Sequence, residues 1–246
     1  MDTGLLILIC FTALAAFVQG FCGFGYGILL MAQLSFASSQ MERASVFVTL
    51  SIIPLLIVLI LRSRHVAKID WKQGLYVSGG MLVCIPIGYG FVYTYGSMPI
   101  FRMVFGAALM LFALNGMCRP HIKRKIPSAT APVFGGFSGV LSGAFSSGGP
   151  PLVLYFYAQE DDPRQAVGTL QIAFLFAAFY RLFVVVAFGG GLSWDLTLKA
   201  VLVTPSVLIL TVVAHILASR TNRAVFVKVV HSLILCAGIV NVVKGF

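Results

Sequence analysis

Charge is what this chain has least of. Asp, Glu, Lys and Arg make up 10% of its 246 residues, against roughly 25% in an ordinary soluble domain. Hydrophobic residues make up 59%, and the mean hydropathy is +1.00. A soluble globule of this length cannot hide so much apolar surface. A soluble enzyme, a nucleic-acid module and a disordered chain are thereby excluded, which leaves a polytopic membrane protein. Acids are scarcest: 7, against 17 Lys and Arg, for a net charge of +10. On a soluble protein that surplus would point to nucleic acid. On a membrane protein it is what cytoplasmic loops collect. The acids are Asp2, Glu42, Asp70, Glu160, Asp161, Asp162 and Asp195. All lie near the ends of apolar stretches, so the mid-membrane carboxylate relay common in pumps is missing. The five cysteines form no Cys-x-x-Cys pair. Neither a zinc site nor a disulfide framework is expected, nor any other metal or cofactor. The N-terminus lacks the basic segment of a cleaved signal, so the first apolar stretch is expected to remain in the mature protein.

Charges this rare serve as punctuation. A helix crosses the bilayer core in about 20 residues. Eighteen uncharged residues separate Arg43 from Arg62, 29 separate Lys72 from Arg102, 16 separate Arg102 from Arg119, and 20 separate Lys199 from Arg220. These read as single crossings, the second with a loop. Residues 163–189, interrupted only by Arg164 and Arg181, and 222–243 read as two more. Two stretches are too long. Asp2 to Glu42 encloses 39 uncharged residues and Lys125 to Glu160 encloses 34, roughly 50 Å or more as one helix against a core of about 30 Å. Both are interrupted: the first by Gly20-Phe21-Cys22-Gly23-Phe24-Gly25-Tyr26-Gly27, the second by Gly143-Ala144-Phe145-Ser146-Ser147-Gly148-Gly149-Pro150-Pro151. Gly and Pro break helices and free backbone groups.

The two interrupted stretches begin matching halves. Gly20, Gly25 and Gly27 each lie 123 residues before Gly143, Gly148 and Pro150. Glu42-Arg43-Ala44 resembles Pro163-Arg164-Gln165-Ala166, Ile85-Pro86 resembles Thr204-Pro205, and Phe101-Arg102-Met103-Val104-Phe105 resembles Asn222-Arg223-Ala224-Val225-Phe226. This order of cues marks an internal duplication. The expected architecture is an all-α polytopic membrane protein with halves 1–118 and 128–246, joined by a basic cytoplasmic linker at 119–127. It has eight transmembrane segments, within a range from six plus two re-entrant hairpins to ten. Residues 62–72 and 119–125 each hold four Lys or Arg and are expected inside the cell. If the segments at 163–189 and 195–219 are single crossings, each Gly-broken stretch is a hairpin. One then enters from each face, an inverted repeat. The alternative is a parallel four-plus-four repeat, each stretch forming one long broken crossing.

Uncoiled backbone inside a membrane is tolerated where it is buried in protein or lines a cavity. The freed amides at the start of a broken helix favour an anion. Gly23, Gly25, Tyr26 and Gly27 in the first break, and Ser146, Ser147, Gly148 and Gly149 in the second, are therefore the candidate binding residues. The competing reading is close helix packing by small residues.

The motifs Gly20-x-x-Gly23-x-Gly25-x-Gly27 and Gly139-x-x-x-Gly143-x-x-Ser146-Ser147-Gly148-Gly149-Pro150-Pro151 resemble the TauE/SafE sulfite exporter family, as do the Arg-x-Ala steps after each break. Tyr26 and Ser146 stand where that family usually has glycine. The resemblance implies transport of sulfur-containing anions, such as sulfite or organosulfonates, across the bacterial inner membrane. The expected partners are that anion and the lipid bilayer, not nucleic acid; no oligomeric state is implied.

Other residues have two readings each. Arg181 is either an anion counter-charge or a side chain snorkelling toward Gly189. Gln19, Gln33 and Gln171 either donate to an oxyanion or join helices. His215 and His231 carry protons or pack. Cys22 reacts with a sulfur substrate or is a small buried residue. Two further functional classes stand beside transport. Gly136-Phe137-Ser138-Gly139 matches an intramembrane serine protease pattern, with His231 as an imagined base. A non-transporting membrane subunit is the other.

Overall fold

The computed structural model describes residues 3–37, 40–63, 69–118, 126–159, 163–188, 191–218 and 223–244. Among them the chain is helical throughout. Helices α1 (Thr3–Cys22), α2 (Tyr26–Ala37), α3 (Met41–Ser63), α4 (Trp71–Tyr95) and α5 (Pro99–Cys118) form the first half. Helices α6 (Ala131–Phe145), α7 (Gly149–Gln159), α8 (Pro163–Ala187), α9 (Trp194–Ala218) and α10 (Arg223–Val243) form the second. Six of these are long and apolar enough to cross a membrane: α1, α3, α4, α5, α8 and α9. The basic linker at 119–125 lies outside the described residues.

The interrupted stretches break where glycine and proline put them. Cys22 ends α1, and Gly23 and Gly25 follow with φ of 84° and 115°, a region that glycine enters freely. Phe145 ends α6, and Ser146 takes the same left-handed turn at φ 53°. Pro54, Pro86 and Pro205 lie inside α3, α4 and α9 without ending them, as neighbouring helices in a bundle allow.

Contacts along the helices give their directions. The Asp70 amide donates to Thr169 at 3.1 Å, and the Tyr89 ring meets Phe188 at 5.7 Å, so α4 and α8 run together. Arg181 bonds to Ser45 near the start of α3, and Gly168 faces Ser63 at its end, so α3 and α8 run oppositely. Gly135 abuts Val77 and Gly143 abuts Tyr89, so α6 runs with α4. α7 turns back: Gln159 donates to the Ile126 carbonyl, and the Phe134 and Tyr155 rings lie 5.3 Å apart, tilted by 37°. The second stretch is therefore a hairpin that enters and leaves at the end of the molecule marked by Asp70. The first is its counterpart. Gly20, near the end of α1, faces Thr211 and Ala214, near the end of α9. Their long shared contact requires the two to run together, toward the Asp70 end. α2 returns beside α10, with Phe24 at His231 (6.3 Å) and Ser35 at Asn241 (2.6 Å). It reaches the opposite end, where the Gly191 amide donates to Glu42.

Small residues hold the hairpins in place. Gly135, Gly139 and Gly143 form one face of α6 against α4, and Gly80 and Gly88 of α4 meet it. This is the small-residue packing expected where lipid removes the hydrophobic drive between helices. The packing reading thus holds for Gly143, and for Gly20 against α9.

Candidate functional site

The two hairpin tips meet inside the bundle. A Cβ on Gly27 would overlap the Ser146 carbonyl oxygen, so only glycine lets the two breaks touch. Beside this contact lies a small cavity of about 40 Å³, room for a few water-sized groups or a small anion. The tips line it with Gly25, Gly27, Ser146, Ser147, Gly148 and Gly149. Gln19 and Ser142 add polar groups, Phe174, Ala177, Ala178 and Arg181 come from α8, and Ile28 and Ile52 complete the apolar side. Helices α2 and α7 both begin at this cavity, and first-turn amides have no partner within their own helix. In α7, Pro150 and Pro151 suit the first turn but carry no N–H, which leaves the amides of Gly148 and Gly149 at its tip. In α2 the Tyr26 amide is spent on Gln19 Oε1 at 3.0 Å, which leaves those of Gly27 and Ile28.

Arg181 is the charge at this cavity. It is 1% exposed, so it does not snorkel toward residue 189; its head turns inward. Nε donates to the Gly143 carbonyl at 3.0 Å. Nη1 donates to the Ser45 carbonyl at 3.1 Å and to Thr49 Oγ1. Nη2 donates to Ser45 Oγ at 2.7 Å, and the guanidinium carbon lies 5.4 Å from the centre of the Tyr89 ring. All these partners are neutral. Glu42 instead accepts from the Tyr89 hydroxyl at 2.9 Å and from the Gly191 amide. The one ion pair among the described residues joins Lys199 to Asp195 on an exposed surface. Arg181 is thus a buried cation with no hydrogen bond to a carboxylate; Glu42 acts on it from beyond the Tyr89 ring. One of its five N–H groups has no protein partner among the described residues.

Several expected ligands are occupied elsewhere. Gln19 Nε2 donates to Gln171 at 3.1 Å and Gln171 Nε2 donates to the Gly23 carbonyl at 2.7 Å. These two amides join α1, the first break and α8, the helix-joining reading, although Gln19 still borders the cavity. Gly23 and Gln171 stand behind the wall. So does Tyr26, fully buried with its hydroxyl on Ser51 at 2.8 Å. Gln33 is partly buried with no partner for its Oε1, away from the lining. Ser146 Oγ lies 3.0 Å from Thr49 Oγ1. Thr49 gives its own proton to the Ser45 carbonyl, so Ser146 is the donor and its proton is committed. Ser147, 7% exposed, has no side-chain partner among the described residues. His231 packs between Phe24 and Phe112 and against Gly116. His215 lies beside the Gly20 backbone and near Arg62. Cys22 is buried, at the end of α1 and outside the cavity lining.

The family model described as sulfite exporter TauE/SafE matches residues 8–241. The chain belongs to that family. A probable sulfite/organosulfonate exporter TauE from Cupriavidus necator is 25% identical over 203 residues, covering 81% of this chain and 78% of the relative. No solved structure matches. Membership makes the chain a multi-pass membrane transport protein rather than an enzyme. Ser138, the serine of the protease-like tetrapeptide, is wholly buried and donates to the Gly148 carbonyl at 2.6 Å. It braces the second hairpin of this TauE/SafE transporter. Sequence reasoning missed Ser45 and Thr49, which hold Arg181. Their signal was present: Glu42, Ser45 and Thr49 recur at three- and four-residue spacing along one helix face, in a helix otherwise apolar enough to span.

Proposed function

We propose that this chain is a permease exporting small sulfur-containing anions, such as sulfite or organosulfonates, and that the oxyanion binds where the two hairpin tips meet. Arg181 carries the reading. A buried cation is costly unless a counter-charge joins it; its hydrogen-bond partners are all neutral, and the Glu42 carboxylate is held by Tyr89 rather than by the guanidinium. An oxyanion in the cavity supplies that counter-charge, while the amides of Gly27, Gly148 and Gly149 and the Ser147 hydroxyl complete its hydrogen bonds. The name of the Cupriavidus necator relative supports sulfite or an organosulfonate as the class.

The same proposal includes an inverted repeat in the bacterial inner membrane, with the Asp70 end in the cytoplasm. Hairpins entering from opposite ends support the inversion, and the basic residues of 62–72 and 119–125 support the sidedness. Turning one half over brings each tip to the same depth, which permits access from either side by rocking about a fixed site. The test is flux from proteoliposomes loaded with sulfite, methanesulfonate, sulfate, phosphate or chloride. Sulfite or methanesulfonate is expected to move and to compete with the other. Movement of phosphate or chloride alone would overturn the substrate class.

A further inference from the structure

A second cavity, of about 50 Å³, lies on the other side of the hairpin tips. α5 lines it with Phe105, Ala108, Leu109 and Phe112, and α6 adds Leu141 and Phe145. Phe105 and Phe145 stack at 4.4 Å. Its lining shares Ile28 and Ser147 with the anion cavity. Ser147 is the one polar side chain in this lining. Ser147 is 7% exposed as a residue, and its hydroxyl has no partner among the described residues. This hydroxyl, free to donate, stands at the boundary between a cationic chamber and an aromatic one.

We propose that the aromatic chamber is a substrate subsite, holding the apolar substituent of an organic sulfonate whose oxyanion sits beside Arg181. The inference rests on the anion reading above and refines it to amphipathic anions with a short alkyl or phenyl group. The Ser147 hydroxyl donates to a sulfonate oxygen at the boundary, and the carbon attached to sulfur passes Ile28 into the chamber. A tail entering an aromatic chamber leaves water, and each buried methylene strengthens binding about fourfold. Sulfite has no such group and gains nothing there. The selectivity is therefore built into the tips: one face reads charge and the other reads carbon.

The experiment is competition by sulfite, methanesulfonate, propanesulfonate, hexanesulfonate and benzenesulfonate against sulfite flux in proteoliposomes of the full chain. Propanesulfonate, two methylenes longer, is expected to bind about fifteenfold tighter than methanesulfonate. Filling the chamber with Ala108→Phe should collapse the ratio of propanesulfonate to methanesulfonate affinity toward one. Ser147→Ala should weaken every sulfonate alike and leave the chain-length ratio in place. The ratio cancels any loss of folded protein. If sulfite and methanesulfonate bind but chain length and Ala108→Phe leave the ratio unmoved, the chamber is filled by something else, such as a lipid chain, and the subsite is overturned. If none of the five competes, the anion reading itself falls.

Discussion

Replacing Arg181 with methionine removes the charge while keeping a long apolar stem. In the protein the guanidinium makes four hydrogen bonds to neutral oxygens of Gly143, Ser45 and Thr49. None of these groups becomes a stranded charge when it leaves. The hydroxyls of Ser45 and Thr49 already donate to Glu42 and Ser45 carbonyls one turn back, at 2.7 and 2.9 Å. Insertion into the membrane becomes easier by about 2.5–3.5 kcal/mol on translocon scales, which offsets the lost bonds. The variant is therefore expected in the membrane at normal levels, monodisperse in detergent. An anion bound beside Arg181 loses its counter-charge, at a cost of about 2–5 kcal/mol for a buried pair, or roughly 30- to 5000-fold in Kd. Arg181→Lys keeps the charge but not the planar fork and should fall between the two. The assay is sulfite affinity from concentration-dependent flux, with protein level measured in parallel. Well-folded Arg181→Met with unchanged affinity would falsify the placement of the anion.

Gly27→Val should abolish flux with protein retained, because its side chain occupies the space of the Ser146 carbonyl; flux near the parent's would show that the tips need not touch. Thr49→Val should weaken anion affinity by about 0.5–1.5 kcal/mol, through the lost bonds to Arg181 and Ser146, and an unchanged affinity would remove Thr49 from the site. A cysteine at Asp161, outside the described residues, should react with an impermeant thiol reagent only from the cytoplasm; labelling from the periplasm would sink the inverted repeat. Flux should follow a potassium-diffusion potential at equal pH, since a divalent anion leaving a cell at 140 mV gains roughly 6 kcal/mol without a coupled ion. Flux that follows only a pH gradient would refute uniport and bring His215 and His231 forward.

The helices and the two breaks were legible because charge is so rare that Arg, Lys and Asp mark nearly every end. Asp70, for example, caps α4 by accepting from the Gln73 amide. The hairpin at the second break was legible only as one of two topologies, since few charges distinguish them. The contact of Gln159 with Ile126 is a tertiary fact that no local pattern carries. Gly20, Gly143 and Gly27 look alike in sequence, yet the first two pack against α9 and α4 and the third touches Ser146. What separates them is the helix each one faces. Arg181 offered two readings for a similar reason: the distance to residue 189 allows snorkelling, and only the position of α3 provides the oxygens that hold it inside.

The two hairpins match in shape and differ in charge. Each tip is tied to a helix that crosses beside it: Gln171 of α8 holds Gly23, and Thr49 of α3 holds Ser146. Gly143, the residue 123 positions after Gly20, gives its carbonyl to Arg181, whereas Gly20 lies beside His215 of α9. The two breaks meet, and among the described residues the one buried permanent cation lies on a single side of them. A site with two equivalent cations would hold an anion from both flanks and release it slowly, because each charge-assisted hydrogen bond adds to the barrier for leaving. With one cation, one serine hydroxyl and a few backbone amides, the site as we propose it would bind the anion from one flank only. In that arrangement the aromatic flank would recognise whatever the anion carries, and the affinity would be low enough for the anion to leave when the site opens the other way.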